Sequence, residues 1–305
     1  MHSTESARQK LLYHYTTAES LLGIVQSRSL WATDIRFLND TAEFSFARDV
    51  LLRELLSRAN RLRNERVRLL IRKELATLQV MAPPPAYVIS LSERGNALSQ
   101  WRAYAPRDGV SIGFHIGALR AIKDFALYRC RYLKKEEVKT ERGKHALRAI
   151  VDEVYGNIQW TARLIQQEAR KKTLTDNSLL QAQRDHTALV ASALVWAALK
   201  IKHGGFSEEV EWRLIDNVPG LNVVHALGDD PKGLLRFRRG AFGVTPYLVA
   251  TLPQSWRKAP LGIAKVIVGP SASAVSTVAS IRDLFRIKLR SSATVESCEI
   301  PFRAW

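Results

Sequence analysis

The chain has 305 residues, 46% of them hydrophobic, which is enough apolar material for a sizeable core in one large domain or two small ones. No apolar run reaches the ~18 residues of a membrane span, and the N-terminal MHSTESARQKLLYHY lacks the apolar centre of a secretory signal. Lys and Arg number 46 against 29 acids, a net charge of +17, a surplus that attracts phosphate polyanions and so points to nucleic acid, or else to an acidic partner protein.

In chain order, Leu11 to Thr17 is short, aromatic and rich in β formers, and reads as a strand. Thr16 or Thr17 then caps the helix AESLLGIVQSRS, whose apolar face is Leu21, Leu22, Ile24 and Val25. Ser29 to Thr33 reads as a second strand. Asn39-Asp40-Thr41 supplies turn and cap chemistry for a helix of about 41–59, and a second helix follows at about 64–79 with Val67, Leu70, Ile71, Leu75 and Leu78 at helical spacing. The pair reads as a helical hairpin over about 41–80, laid on a sheet and ended by Pro83-Pro84-Pro85. Ala86 to Glu93 is a clear strand that keeps Ser90 and Ser92 on one face. A turn or two of helix at ALSQWRAYA, a strand at Gly109 to Ile116 and another at Phe125 to Leu133 come next. A helical insertion over about 144–203 precedes an acidic stretch, and strands near Leu221 to Ala226, Leu234 to Arg238, PYLVATL, LGIAKVIVGP and the closing ATVESCEIPFRAW complete the chain, with a helix from Ser271 to Leu284. Mixed, mostly antiparallel strands with helices on one side give an α+β fold, and nothing in composition divides residues 1–305 into two domains.

Two cysteines, Cys130 and Cys298, match no metal or redox spacing, and no C-x-x-C, H-E-x-x-H or Walker loop is present. The expectation is a reduced, cytoplasmic protein with no metal site.

The acidic stretch is Phe206 to Leu214, FSEEVEWRL. Alternation of Val210, Trp212 and Leu214 with Glu209, Glu211 and Arg213 reads as a half-buried strand that sets Glu209 and Glu211 on one face, one repeat apart. Two like charges side by side cost stability unless they are used or screened. The bland reading is a solvated face on which Arg213 partners Glu211. Others stand beside the remaining candidates: a satisfied histidine at His14, a turn at Asn39, packing and an ion pair around Arg102.

Together YHYTT, RFLND, SLSE, QWRAY, EEVEWRL, VIVGP and IPFR, running in order from Leu12 to Arg303, resemble a bacterial family of unknown function. That family in turn looks like a distant branch of the ADP-ribosyltransferases. The resemblance implies an ADP-ribosyltransferase-like pair of split antiparallel sheets with peripheral helices, NAD as the substrate, and roles as toxins or phage-defence effectors, with an antitoxin among the partners it allows. His14 with Thr16, Ser90 with Ser92, and Glu209 with Glu211 match its three strand motifs. On that match, Glu211 stabilises the cationic sugar carbon formed as nicotinamide leaves, and Glu209 takes the proton of the attacking group. His14 and Thr16 bind the adenosine-ribose and nicotinamide ends, Ser90 and Ser92 support the strand or bond Glu211, and Tyr15 or Tyr87 stacks on nicotinamide. Arg36, Asn39 and Arg102 are candidates for the pyrophosphate, because a guanidinium supplies two donors at once. A non-catalytic nucleic-acid- or partner-binding module is one competing expectation. A metal-dependent nuclease using Glu208, Glu209, Glu211 and Asp216 is another.

Overall fold

The computed structural model describes residues 10–38, 41–80, 82–105, 109–134, 136–168, 176–217, 229–230, 232–240, 243–256, 258–271 and 273–300. The chain opens with β1 (Leu11–Thr17), whose last residue caps α1 (Ala18–Ser27): the Thr17 hydroxyl oxygen accepts the Ser20 N–H at 3.1 Å. β2 (Ser29–Asp34) runs into a 3-10 turn, Ile35–Phe37, that Asp34 caps through the Arg36 N–H. The helical hairpin is α2 (Thr41–Asn60) and α3 (Glu65–Val80). Then come β3 (Tyr87–Ser92), α4 (Leu98–Tyr104), β4 (Gly109–His115), α5 (Ile116–Arg120), β5 (Phe125–Arg129) and β6 (Arg131–Leu133). The insertion is α6 (Glu141–Glu168) and α7 (Asp176–Ala198), followed by β7 (Ile201–His203) and β8 (Glu211–Asp216). The expected strand at Leu221 to Ala226 lies outside the described residues. β9 (Arg236–Gly240), β10 (Gly243–Thr251), the short β11 (Ser255–Trp256) and β12 (Ala259–Pro260), β13 (Ile263–Val268), α8 (Ala274–Leu284) and β14 (Thr294–Ser297) finish the fold.

The architecture is α+β, with a mostly antiparallel main sheet; β13 with β14 is its parallel pair. β3 is its pivot. One edge of β3 pairs along its length with β8, from Val88 opposite Ile215 to Ser92 opposite Glu211, and β8 pairs on with β5. The other edge is shared. Ser92 pairs with Tyr13 of β1, while Val88 and Tyr87 pair with Thr33 and Asp34 of β2. Beyond β1 the sheet continues through β4, β13 and β14; beyond β2 it continues through β10 and β9. The two arms therefore part at the middle of β3, at Ser90.

Helices cover both faces, where the sequence reading put them on one. Alternating apolar residues of β1, β3, β4 and β13 (Leu12, Ile89, Leu91, Ile112, Phe114, Val266) pack with Leu21, Ile24 and Val25 of α1 and Val278 and Ile281 of α8. The hairpin is not simply laid on the sheet. α2 and α3 pack with α6 and α7 around a core of their own, including Leu51, Leu55, Ile71, Leu75, Val151, Val154 and Leu194. The reason is amphipathic geometry: four helices with apolar stripes bury more surface against one another than against a single strand face. A smaller cluster joins the helices to the sheet, with Val195 and Leu199 at the end of α7 against Val88 and Ile215.

Candidate functional site

The chain enters β8 by a route that the alternation of FSEEVEWRL does not suggest. Gly204–Glu209 is a 3-10 turn, capped by His203, whose Nδ1 accepts the Gly205 N–H at 3.2 Å. Val210 follows in the left-handed region, φ 43 and ψ 50, and the strand begins only at Glu211. Glu209 is thus not one strand repeat from Glu211. The turn brings the two carboxylates together instead, because both reach the ammonium of Lys202 on β7: Glu211 Oε2 at 2.8 Å, and Glu209 Oε2 in a shorter contact. A β-branched residue at positive φ is strained, and such strain is concentrated at functional sites.

Nor is the face solvated. Glu211 is 5% exposed and Arg213 6%. Arg213 Nε donates to Glu211 Oε1 at 2.9 Å, its Nη2 to Oε2 at 3.1 Å, and its Nη1 to the Leu199 carbonyl at 3.1 Å. Two carboxylates and two cations make a balanced buried set, which is how the proximity of Glu209 and Glu211 is tolerated. Burial alone would raise the pKa of Glu211, but Arg213 and Lys202 outweigh it and hold it at about 2. The backbone is fixed as well. The Glu211 N–H donates to the Tyr132 hydroxyl at 2.7 Å, its carbonyl accepts the Cys130 N–H at 3.0 Å, and the Ser92 hydroxyl donates to the Glu209 carbonyl at 2.6 Å.

The fork of the sheet holds a second group. Ser90 is exposed, and its carbonyl accepts a hydrogen bond from His14 Nδ1 at 3.0 Å. A carbonyl can only accept, so Nδ1 carries the proton; burial, with the charge of Arg238 assisting, lowers the His14 pKa against that bond. In the neutral ring Nε2 is then an acceptor. Register puts Tyr13, Ser92 and Glu211 on one face of the sheet, while His14 alternates to the other with Leu12. Arg238 of β9 donates to Thr33 Oγ1 at 2.9 Å, and its charge bears on His14.

The other expected residues are distributed unevenly. Ser92 lies opposite Glu211 and is buried. Thr16 is on β1 opposite Val110. Tyr15 packs edge-on against Trp101, centroids 4.8 Å apart, while its hydroxyl donates to the Arg94 carbonyl and accepts the Ala97 N–H. Tyr87 is 1% exposed. Neither ring is open to a ligand here, because both fill core positions. Arg36 is held by the buried Asp34, Nη2 to Oδ2 at 2.6 Å, and Arg102 sits exposed on α4. Asn39 lies outside the described residues. The acids proposed for a metal do not converge. Glu208 is exposed and Asp216 is at the opposite end of β8 from Glu211; among the described residues no group of three or more His, Cys, Asp or Glu could hold a metal ion. Among them, too, no helix is long and apolar enough to cross a membrane.

Lys202 escaped the sequence reading. Lys202 had a signal: the apolar run ending α7 continues as LKIK, two lysines flanking an isoleucine where burial is expected. A family model described as a protein of unknown function, DUF2971, matches residues 100–214, which takes in Lys202, Glu209, Glu211 and Arg213 and leaves out His14 and Ser90. No curated protein and no solved structure matches the chain.

Proposed function

We propose that this protein transfers ADP-ribose from NAD to an acceptor, with Glu211 at the reacting sugar. The observation that supports the reading is the strand order at the fork: β1, β3 and β8, bearing His14, Ser90 with Ser92, and Glu211, are neighbours drawn from distant parts of the sequence, with His14 bonded to the Ser90 carbonyl and on the opposite face from Glu211. The donor set fits the ligand. Neutral His14 offers Nε2 to a ribose hydroxyl. A carboxylate has about four acceptor positions. Among the described residues Arg213 Nε takes one on Oε1, and Arg213 Nη2 with Lys202 takes two on Oε2, which leaves a position on Oε1 for a second hydroxyl.

In the transfer, the bond between nicotinamide nitrogen and ribose carbon breaks, and its electron pair leaves with nicotinamide. The acceptor's nucleophile bonds to that carbon and its proton passes to Glu209. A Glu211 pKa of about 2 keeps the carboxylate charged throughout, so it stabilises the developing cation without reorganisation. Arg102, exposed on α4, is the cation this reading assigns to the pyrophosphate. The strained Val210 between the two glutamates is the kind of backbone cost tolerated at a site.

A second reading has an observation of its own: Glu211 is buried and paired with both cations, so the tetrad could serve only to pin β7 to β8 in a binding module without catalysis. One experiment separates them. Purified protein is incubated with NAD labelled on its adenylate half and separate pools of DNA, RNA and protein, and nicotinamide release and label transfer are measured. Transfer that falls about 100-fold or more in folded Glu211→Gln supports the proposal. No nicotinamide release with any pool, or equal turnover in the folded variant, overturns it.

A further inference from the structure

The arm of the sheet beyond the fork carries an exposed surface that the transfer chemistry does not use. β2 pairs with β10 and β10 with β9, so Trp31, Thr33, Tyr247, Val249, Arg236 and Arg238 share one face. It is the face of Ser92 and Glu211, because Thr33 pairs with Val88 and Ser92 with Glu211. A surface strand normally turns polar residues outward, yet here Trp31 and Val249, paired across β2 and β10, are each 43% exposed. Trp31 and Tyr247 lie with ring centroids 4.6 Å apart at 31°, and the Arg238 guanidinium is 5.7 Å from the Trp31 ring centre. Arg236 is exposed on the next strand, and β9 ends the sheet. Among the described residues, the buried Nε of Arg238 has no hydrogen-bond partner, although a guanidinium has five N–H donors to satisfy.

We propose that this face binds single-stranded nucleic acid, with a base stacked at Trp31 and phosphates held by Arg236 and Arg238. Each part follows from the chemistry of the face. Aromatic rings beside arginines are a stacking platform that tolerates any base, since every base has a π face. Bases in a duplex are already stacked and cannot reach such a platform, so an unpaired strand is the ligand it selects. The charge matches: a chain of net +17 presents Arg236 and Arg238 at its open aromatic face. A lone nucleotide would need one ring and one cation; a ring pair and two arginines spread over three strands suit a continuing backbone. The binding face stands on its own geometry. That the bound strand is the acceptor of ADP-ribose rests on the transfer reading, since the face continues to the fork.

The test is fluorescence anisotropy of a labelled oligothymidine and of the same sequence in duplex form, without NAD. The single strand should bind more tightly than the duplex, and binding should weaken steeply with salt. Trp31→Ala should weaken it about ten-fold or more, the scale of one lost stacked base, while Trp31→Tyr largely restores it. Arg236→Ala should lower the slope of log affinity against log salt by about 0.7, the share of one phosphate on a single strand. Val275→Ala, at an exposed apolar residue on α8, is the control and should change nothing. Equal binding of duplex, or Trp31→Ala binding like the parent, overturns the proposal. So does a Trp31→Ala protein that loses NAD and keeps the oligonucleotide, for then the platform belongs to the cofactor. Strand binding is read without NAD and nicotinamide release is read separately, so failure of the transfer chemistry leaves this result readable.

Discussion

Glu211→Gln should cost stability, and the structure fixes how much and at which pH. The carboxyl falls from its ordinary 4.5 to about 2 in the fold. At about 1.4 kcal/mol for each factor of ten, that is about 3 kcal/mol of preference for the charged form. Glutamine keeps the shape but removes the charge with which both Lys202 and Arg213 pair, and stripping one partner from a buried ion set typically costs about 3–5 kcal/mol. Both routes agree, and both exceed the ~1 kcal/mol of an exposed pair. A chain of this size should then lose roughly 5–10 °C in its melting midpoint. The folded value lies below the unfolded one, so Glu211's contribution is complete above about pH 4.5 and is lost as pH falls toward 2. The assay is urea unfolding followed by tryptophan fluorescence, at pH 7 and again near pH 3. The gap between parent and variant should narrow at the lower pH. A loss below 1 kcal/mol at pH 7, or a gap unchanged by acid, would refute the buried tetrad. Any turnover measured for the variant is scaled to its folded fraction.

Asp216 shows the opposite linkage: burial, aided by the charge of Asp34 and opposed by the Tyr87 N–H, raises its pKa from 3.8 to about 7. The native state therefore keeps a proton that the unfolded chain has lost, and stability declines as pH rises from about 4 to about 7. Asp216→Asn should flatten that slope in a melting-against-pH series and exceed the parent's midpoint at pH 8. Val210→Gly should leave stability unchanged or raise it, because glycine accepts φ 43 without strain, whereas a loss of more than 1 kcal/mol in urea would show that Val210 packing dominates. Thr17→Ala should lower stability by about 1 kcal/mol through loss of the α1 cap, read by the same denaturation.

Local signals made much of this fold legible. Thr17 before AESLLGIVQS, the period of Ile71, Leu75 and Leu78, and the alternation of AYVISLS each resolve within one element, and each element formed as the pattern implies. What sequence alone did not reveal depends on distance. The shared core of α2, α3, α6 and α7 needs two helix pairs, separated in the chain by the strands β3 to β6, to find each other. The E-x-E spacing is equally compatible with a strand and with a turn, and only the positive φ at Val210 distinguishes them. Lys202 reaches the glutamates across Gly204 and Gly205, so no periodic spacing relates them. Trp31 was readable as part of a strand, but its standing on an open face follows from β9 and β10, more than 200 residues later in the chain.

The two cations of the tetrad ride on different bodies. Arg213 is carried by β8 together with Glu211, whereas Lys202 is carried by β7, directly after α7, in the layer whose interior is Leu51, Leu75 and Leu194. Glu211 therefore feels one charge that moves with it and one that does not. A separation of the helical layer from the sheet would weaken the hold of Lys202 on Glu211 and leave Arg213 as its nearer counter-charge. The local potential around Glu211 would swing negative, and a lone pair on Oε2 would open at the same moment. Mechanical displacement and electrical potential are tied here to a single coordinate, the distance from Lys202 to Glu211.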